Sequence, residues 1–214
     1  MQIGVFDSGK GGELIADGLK TLLPQHQYVV INDRDHVPYG SRSNQEIIEL
    51  TDAALAPLYG NCPIVVIACN TATMAAITEL RSRHPETLFI GTEPMIKPAN
   101  ESSNTRRITV LATPLTLASE RYKLLKESCG GDLTVDEPNT HHWAKHIEFN
   151  EKHMIDFESV HESVRSGSDT VILACTHYLA LKHDLEAELA GITILEPTEA
   201  IARQIERLLA AEVR

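Results

Sequence analysis

The sequence predicts an α/β protein of two pseudo-symmetric domains, each a mostly parallel four-stranded sheet flanked by helices, with a site in the cleft between them. Apolar, β-branched segments alternate with segments of helical pattern along the 214 residues, which is typical of parallel sheets covered on both faces. The segments VVIACNTAT, residues 65–73, and VILACTHYL, residues 171–179, are versions of one another. This internal likeness predicts that one half of the chain repeats the architecture of the other.

The spacing of matching positions supports the repeat. The matching positions are separated by 105, 106 and 103 residues: Ile3 and Ile108, Cys69 and Cys175, and Glu93 and Glu196. Loops absorb differences of this size at little entropic cost. A polar stretch with a proline, residues 97–106, suits the crossover between the halves. The sequence therefore predicts a first domain of residues 1–97 plus 198–214 and a second domain of residues 98–197.

The elements of the first half follow from short apolar runs and from helical periodicity. The apolar runs predict strands at residues 3–6, 28–31, 64–68 and 88–90. The segments between them predict helices at residues 13–23, 44–59 and 71–83. Asn44 is the predicted N-cap of the second helix, with Glu46 in its first turn.

The second half repeats this order. Its predicted strands are residues 108–111, 133–135, 171–174 and 192–195. Its predicted helices are residues 117–127, 143–162, 179–190 and 198–213. Pro197 ends the last strand, so the final helix is predicted to return and pack on the first half.

The composition excludes several classes of partner. Hydrophobic residues make up 43% of the chain and charged residues 23%, which is the balance of an ordinary globular protein. The net charge of −11 argues against a nucleic-acid or anionic-membrane surface. No apolar run approaches the ~18 residues of a membrane span, and the start MQIGVFDSG lacks the basic-then-apolar pattern of a secretory signal. A small molecule is the expected partner, and the cytoplasm is the expected compartment.

The cysteine and histidine patterns predict neither a metal site nor a disulfide framework. The four cysteines lack paired short spacings, which fits a reducing compartment. His142, His146 and His153 are spaced so that they share roughly one face of a predicted helix. We interpret this face as a solvated surface rather than a metal site. The loop DSGKGG lacks the GxxxxGKS/T spacing of a phosphate loop, so no nucleotide cofactor is expected.

Two cysteines mark the predicted site. In an open α/β sheet, ligands bind just past the carboxyl ends of parallel strands. Cys69 and Cys175 each follow such a strand, so both thiols are predicted to face the cleft between the halves, where small-ligand sites are common. The polar residues predicted beside them are Asp7, Ser8, Asn70, Thr71, Thr113, Thr176 and His177.

Two thiols facing one small molecule suit the racemisation of an amino acid. This reaction removes a weakly acidic proton from Cα and returns one to the opposite face, which requires two groups of matched proton affinity. A thiol pKa of ~8.5 can be drawn toward neutrality by a nearby histidine or a helix N-terminus. We expect His177 and Asp7 to adjust the two thiols, whereas Cys62 and Cys129 lack such neighbours and are interpreted as structural.

Six segments resemble a known family in order and spacing. They are IGVFDSGKGG, VPYGSRS, VVIACNTAT, GTEPMIKPA, ILACTHYLAL and EPTEAIARQI, and together they span nearly the whole chain. They resemble the glutamate racemases of the cofactor-independent aspartate/glutamate racemase superfamily, for which the paired ACNT and ACTH segments with an N-terminal DSGxGG are highly specific. The resemblance implies interconversion of L- and D-glutamate without pyridoxal phosphate or metal, to supply D-glutamate for bacterial peptidoglycan.

The resemblance also implies roles for individual residues. Cys69 takes the proton from D-glutamate with help from Asp7, and Cys175 serves L-glutamate with help from His177. Glu148, at the end of WAKHIE, is the candidate for a glutamate that the family places near the second cysteine. The positions that bind substrate in the family correspond to Ser8, Tyr39, Gly40, Asn70, Thr71, Thr113 and Thr176. A homodimer is an assembly compatible with the resemblance.

Two other interpretations stay open at this point. One is a racemase for aspartate or another small acidic amino acid. The other is a non-catalytic relative that keeps the cleft for binding, which the joint presence of both cysteines, Asp7 and His177 disfavours. Lys10 departs from the aliphatic residue usual in DSGxGG, and it is predicted to add positive charge near a substrate carboxylate.

Overall fold

The computed structural model describes residues 1–212, in which two four-stranded sheets contain only parallel strand pairs. The strands are β1 (Gln2–Asp7), β2 (Gln27–Asn32), β3 (Ile64–Ile67), β4 (Leu88–Gly91), β5 (Arg107–Leu111), β6 (Thr134–Asp136), β7 (Thr170–Leu173) and β8 (Thr193–Leu195). The order β2-β1-β3-β4 of the first sheet recurs as β6-β5-β7-β8 in the second. The predicted α/β class with two similar halves is confirmed.

Helices cover both faces of each sheet. They are α1 (Gly11–Leu22), α2 (Asn44–Leu55), α3 (Asn70–Arg83), α4 (Ile96–Ser102), α5 (Pro114–Ala118), α6 (Glu120–Glu127), α7 (Trp143–Glu148), α8 (Glu158–Arg165), α9 (Lys182–Glu188) and α10 (Thr198–Glu212). Short 3-10 helices occupy Arg34–His36, Tyr39–Ser41, Ala56–Leu58, Lys152–Met154 and Thr176–Leu181. Across the described part of the chain, no helix has both the length and the apolar character of a bilayer span.

Alternating side chains of the strands form cores on both faces of each sheet. Ile3 and Val5 of β1 lie in one core and Phe6 in the other, as the two-residue period of a strand requires. In β7, the neighbours Val171 and Ile172 lie in opposite cores of the second sheet. Burial on both faces explains why these strands are continuous apolar runs in the sequence.

The final helix returns to the first sheet. Ile201 and Ile205 of α10 are buried in the same core as Ile3 and Ile15. The predicted end of this helix at Val213 lies outside the described residues. The proposed division into two domains at residues 97 and 198 stays a prediction.

One predicted helix cap is wrong, and the crossover between the two sheets contains a helix that is not predicted. Helix α2 is capped by Ser43 rather than Asn44, because Ser43 and Glu46 form a capping box in which each side chain binds the backbone N–H of the other. The stretch predicted as a polar crossover contains α4. This helix forms because Ile96 and Ala99, three positions apart, are both buried against the second sheet.

The single helix predicted at residues 143–162 is wrong. This segment contains α7, the 3-10 helix Lys152–Met154 and the beginning of α8. Helix α7 ends at Glu148 because Asn150 follows in the left-handed conformation, with φ of 62°. A left-handed residue just past the last turn is a common way to end a helix, and asparagine is one of the few side chains that tolerate it.

The helix predicted at residues 117–127 is interrupted. Ser119 has an extended backbone, with φ of −66° and ψ of 143°, which ends α5. Its hydroxyl accepts a hydrogen bond from the Tyr122 N–H at 3.2 Å and so caps α6. One serine therefore separates two short helices where the periodicity alone predicts one.

Candidate active site

The carboxyl ends of β1, β3, β5 and β7 meet at a small cavity between the two sheets. Cys69 lies two residues beyond β3 and Cys175 two residues beyond β7, and both line this cavity. The strand register brings Ser8 level with Cys69 and Thr113 level with Cys175. Equivalent positions of the two halves therefore supply one shared site.

Most of the predicted site residues line the cavity. They are Ser8, Tyr39, Gly40, Cys69, Asn70, Thr71, Thr113, Glu148, Cys175, Thr176 and His177. The cavity has a volume of about 30 Å³, which is room for about one or two water molecules. Asp7, the remaining predicted residue, lies behind this lining.

Cys69 lies at the N-terminus of α3 and is almost completely buried. Its Sγ accepts a hydrogen bond from the Ala72 N–H at 3.4 Å and lies 3.2 Å from Ser8 Oγ. Burial, and after it the charge of Asp7, raises the pKa of the Cys69 thiol to about 12. The sequence predicts that the helix N-terminus lowers the pKa of this thiol, but the effect of desolvation by burial is larger. Cys69 is therefore a neutral thiol at pH 7.

Cys175 belongs to a chain of hydrogen bonds in the second half. His177 Nδ1 is 3.9 Å from Cys175 Sγ, and His177 Nε2 donates to Glu148 Oε2 at 2.8 Å. Burial by itself would lower the pKa of His177, but the hydrogen bonds to Cys175 and Glu148 raise it to about 10. The hydrogen bond from His177 also lowers the pKa of Glu148. An imidazolium therefore lies between a carboxylate and the Cys175 sulfur at pH 7.

Asp7 connects the two halves through Thr176. The Thr176 hydroxyl donates to the Asp7 carboxylate, at 3.1 Å from one oxygen and 2.7 Å from the other. Burial raises the pKa of Asp7 to about 6, against the opposing effects of His177 and Thr176. A carboxyl group that titrates close to neutrality, and whose charge raises the pKa of Cys69, can serve as a general base on that side of the cavity.

Several polar side chains at the cavity are suited to binding a ligand. Asn70 Nδ2 and Oδ1 are both buried and have no hydrogen-bond partner within residues 1–212. A buried amide without partners is costly unless a ligand supplies them. Thr71 and Thr113, from opposite halves, bring their hydroxyl oxygens to 3.1 Å. Tyr39 donates its hydroxyl to Asp33 Oδ2 at 2.7 Å, which orients its ring at the cavity wall.

Five lining residues carry no predicted role. Val37 and Pro38 directly precede two predicted substrate-binding residues, so adjacency could have indicated them. Ala144 and Lys145 lie about one helical turn before the predicted glutamate, the spacing that places helix residues on one face. Lys145 is the one Lys or Arg that lines the cavity in the described part of the chain. No sequence signal indicates Phe149, whose side chain is 59% exposed.

Lys10 does not line the cavity, contrary to the expectation that it approaches a substrate carboxylate. Its ammonium donates to the main-chain carbonyl of Glu148 and, at 3.2 Å, to Asn150 Oδ1. The preceding loop packs directly on the second half. A Cβ atom at Gly9 would lie 2.5 Å from His177 Nε2 and 2.7 Å from Glu148 Oε2, so this close approach requires glycine.

The histidines predicted to share a helix face are divided between two elements. His142 and His146 lie at α7 with ring centroids 6.2 Å apart, whereas His153 belongs to the following 3-10 helix. Over residues 1–212, no three His, Cys, Asp or Glu side chains are arranged to hold a metal ion. Cys62 and Cys129 are free thiols, and Cys62 is part of the first core.

Known proteins resemble the chain over nearly its full length. A family model described as Asp/Glu/Hydantoin racemase matches residues 13–205. The chain is 37% identical to the glutamate racemase of Herpetosiphon aurantiacus, over 98% of this chain and 85% of that protein. It is 36% identical to the glutamate racemase of Pseudomonas aeruginosa strain UCBPP-PA14, over 98% of this chain and 82% of that protein.

The same similarity is seen among solved structures. The glutamate racemase of Escherichia coli, in complex with L-glutamate and the activator UDP-MurNAc-ala, superposes with a TM-score of 0.85. The two sequences are 27% identical, and the match covers 98% of this chain and 82% of that one. The paired sheets and the cleft between them are therefore an architecture that a known amino-acid racemase uses.

Proposed function

The chain belongs to the Asp/Glu/hydantoin racemase family, and on this basis we propose that it interconverts L- and D-glutamate by proton transfer between Cα and two cysteines. The observation that carries the proposal is the pair of thiols, Cys69 and Cys175, which line one cavity from two different sheets. Relatives at 36% and 37% identity are glutamate racemases, which supports glutamate as the substrate.

In the L-to-D direction, the Cys175 thiolate removes the Cα proton of L-glutamate. An S–H bond forms, and the electron pair left on Cα is delocalised into the α-carboxylate. The Cys69 thiol then donates its proton to the opposite face of Cα, which yields D-glutamate and a Cys69 thiolate. The D-to-L reaction follows the same steps in reverse. The atoms and protons balance without an oxidant or a carrier group.

The surroundings of the two thiols support these starting states. The high pKa of Cys69 keeps it protonated, as the proton donor for L-glutamate must be. The His177 imidazolium next to Cys175 stabilises the thiolate that serves as the base. Asp7 acts on the Cys69 side, where a nearby base is needed to form a thiolate when D-glutamate is the substrate.

Glutamate brings two carboxylates and one ammonium into a protein of net charge −11. Local donors must therefore bind the carboxylates, and Asn70 and Lys145 supply an unpartnered amide and a cation at the cavity. The remaining proposed substrate contacts are Ser8, Tyr39, Gly40, Thr71, Thr113 and Thr176. This set holds hydroxyl and amide groups that suit a zwitterion better than an apolar ligand.

Substrate entry requires the two halves to separate. The cavity of about 30 Å³ is far below the ~300–1,000 Å³ of typical ligand pockets. Two hydrogen bonds across the cleft, between Thr71 and Thr113 and between Thr176 and Asp7, hold the halves together at this point. Each pair contains at least one hydroxyl group, which can both donate and accept and can therefore exchange partners readily.

Incubating the protein with L-glutamate in deuterated water tests the proposal. The expected product is D-glutamate with deuterium at Cα, because the thiols exchange their protons with the solvent before returning one. Proton NMR and chiral chromatography measure the two changes. L-Aspartate is tested in parallel, and faster inversion of aspartate would replace the assigned substrate. Absence of inversion and of exchange with both amino acids would overturn the racemase function.

The buried carboxyl group of Asp7 predicts the acid limit of activity. Its pKa of about 6 means that the carboxylate is protonated as the pH falls through 6. A protonated Asp7 cannot act as a base toward Cys69, so kcat/KM for glutamate is expected to fall below about pH 6. The measurement is kcat/KM between pH 4.5 and about 8. A fall in kcat/KM only near pH 4, where exposed carboxyl groups titrate, would contradict the assignment of this titration to Asp7.

We further propose that the reaction supplies D-glutamate for peptidoglycan in the cytoplasm. The resemblance to glutamate racemases supports this role. Two thiols that must stay reduced to exchange protons fit a reducing compartment. The homodimer stays the assembly expected from the resemblance.

A further inference from the structure

Lys10 makes three contacts with the second half of the chain from the loop that precedes α1. Its backbone N–H donates to Glu148 Oε2 at 3.0 Å, and its ammonium donates to the Glu148 carbonyl oxygen. The ammonium also donates to Asn150 Oδ1 at 3.2 Å. Lys10 and Glu148 are 138 positions apart, so these contacts tie the first half to the end of α7.

The orientation of Glu148 depends on this loop. One carboxylate oxygen, Oε2, accepts hydrogen bonds from both the Lys10 N–H and His177 Nε2. Glu148 is the last residue of a helix of six residues, whose C-terminal carbonyl groups carry partial negative charge. The Lys10 ammonium therefore has a favourable place on the Glu148 carbonyl, and it restrains the backbone from which the carboxylate projects.

The turn that follows is closed by backbone hydrogen bonds, from the Phe149 N–H to the Lys145 carbonyl and from the Asn150 N–H to the Ile147 carbonyl, but its side chains are exposed. Phe149 is 59% exposed, and Asn150 is exposed in the left-handed conformation. The Lys10 ammonium binds both sides of this turn, since it contacts the carbonyl of Glu148 and the side chain of Asn150. The His177–Glu148 pair beside it is buried, so a displaced carboxylate would leave the imidazolium without its partner.

We propose that Lys10 is a positioning residue for the Cys175 side of the reaction, where its ammonium holds the end of α7 so that Glu148 keeps His177 against Cys175. The inference rests on the proposed racemase function. Lys10 does not line the cavity and takes no part in proton transfer. The sulfur of Cys69 has other partners, Ser8 and the Ala72 N–H, so its side of the reaction is independent of the Lys10 ammonium.

A β-chloroglutamate substrate separates the two thiols, because one base is sufficient for elimination. A thiolate removes the Cα proton, the electron pair forms a Cα=Cβ double bond, and chloride leaves. The resulting enamine hydrolyses to 2-oxoglutarate and ammonium, which can be quantified. The variants Cys69→Ser and Cys175→Ser first establish which isomer each thiol attacks.

In Lys10→Met, elimination from the isomer attacked by Cys175 is expected to slow about 10-fold, while the other isomer changes less than about twofold. Lys10→Arg keeps a cation of similar reach and is expected to retain more than about half of the wild-type rate. Lys20→Met is the matched control, because Lys20 lies on α1, the helix that directly follows Lys10, is exposed and pairs with Asp17 at 2.8 Å. Its rates should equal those of the wild type.

Three results would each overturn the positioning role. They are an unchanged rate in Lys10→Met, equal losses on both isomers, and a loss in Lys10→Arg as large as that in Lys10→Met. Absence of racemisation by the wild-type protein would instead overturn the racemase function. A failure of the positioning role and a failure of the proposed function are therefore distinguishable. Circular dichroism establishes that each variant is folded, and Lys10→Gln replaces Lys10→Met in the comparison if the methionine variant is not.

Discussion

Cys69→Ser and Cys175→Ser are each expected to lower kcat/KM for glutamate racemisation about 10³-fold, the scale of a lost general acid or base. A serine hydroxyl ionises far less readily than a thiol, so it neither removes the Cα proton nor returns one at a useful rate. Serine is close to cysteine in size, and the fold should therefore persist. Chiral chromatography from both enantiomers measures the loss, which must be equal in the two directions because the enantiomers have equal free energies.

The partial reaction distinguishes a lost base from a general defect. With β-chloroglutamate, each cysteine variant should still eliminate chloride from the isomer that its remaining thiol attacks. The two variants should therefore favour opposite isomers, and elimination from the same isomer in both would contradict the two-base mechanism. Cys129→Ser is the control. Its thiol donates to the Leu125 carbonyl at 3.4 Å, away from the cavity, and full racemase activity is expected.

His177→Gln is expected to lower kcat/KM at pH 7 about 10²-fold. The variant removes the imidazolium that lies 3.9 Å from Cys175 Sγ and so removes the charge that favours a thiolate there. The pKa of His177 is about 10, so the wild-type residue carries its charge at neutral pH and loses it as the pH rises through 10. The ratio of wild-type to variant kcat/KM should therefore be largest near neutral pH and decrease toward pH 10.

A second histidine–glutamate pair provides the control for this variant. His161 Nε2 lies 3.0 Å from Glu188 Oε2 on the surface, and neither residue lines the cavity. His161→Gln should leave kcat/KM and its pH dependence unchanged. A ratio for His177→Gln that stays constant from pH 7 to pH 10 would show that the imidazole acts through packing rather than through its charge.

The two halves share a fold but differ in the electrostatics of their cysteines. Cys69 is buried next to Ser8 and within the influence of the Asp7 charge, and its pKa is raised. Cys175 lies beside an imidazolium that a carboxylate supports. A duplicated architecture thus surrounds its two thiols with different charges, a carboxylate on one side and an imidazolium on the other. Such a difference is what a reaction that moves a proton from one face of a carbon to the other requires.

The local sequence was sufficient for the architecture and for the position of both thiols. Strands such as β3 and β7 are buried on both faces, so their apolar runs are visible without any knowledge of their neighbours. A cysteine directly after such a run must lie at the carboxyl edge of the sheet, where parallel strands present their ligand sites. The helical periodicity predicted the wrong helix ends at Ser119 and Asn150, because the backbone conformation of a single residue interrupts each predicted helix there.

By itself, therefore, the sequence determined the two sheets, their repeated order and the residues that meet at their edges, because each of these follows from burial patterns within a few neighbouring residues. Only the tertiary structure decided that Cys69 is a protonated thiol, that Glu148 supports His177 and that Lys10 holds Glu148. These properties depend on desolvation and on contacts between residues far apart in the chain. Neither desolvation nor these contacts produce a local sequence pattern, since both arise only when the two halves of the chain pack against each other.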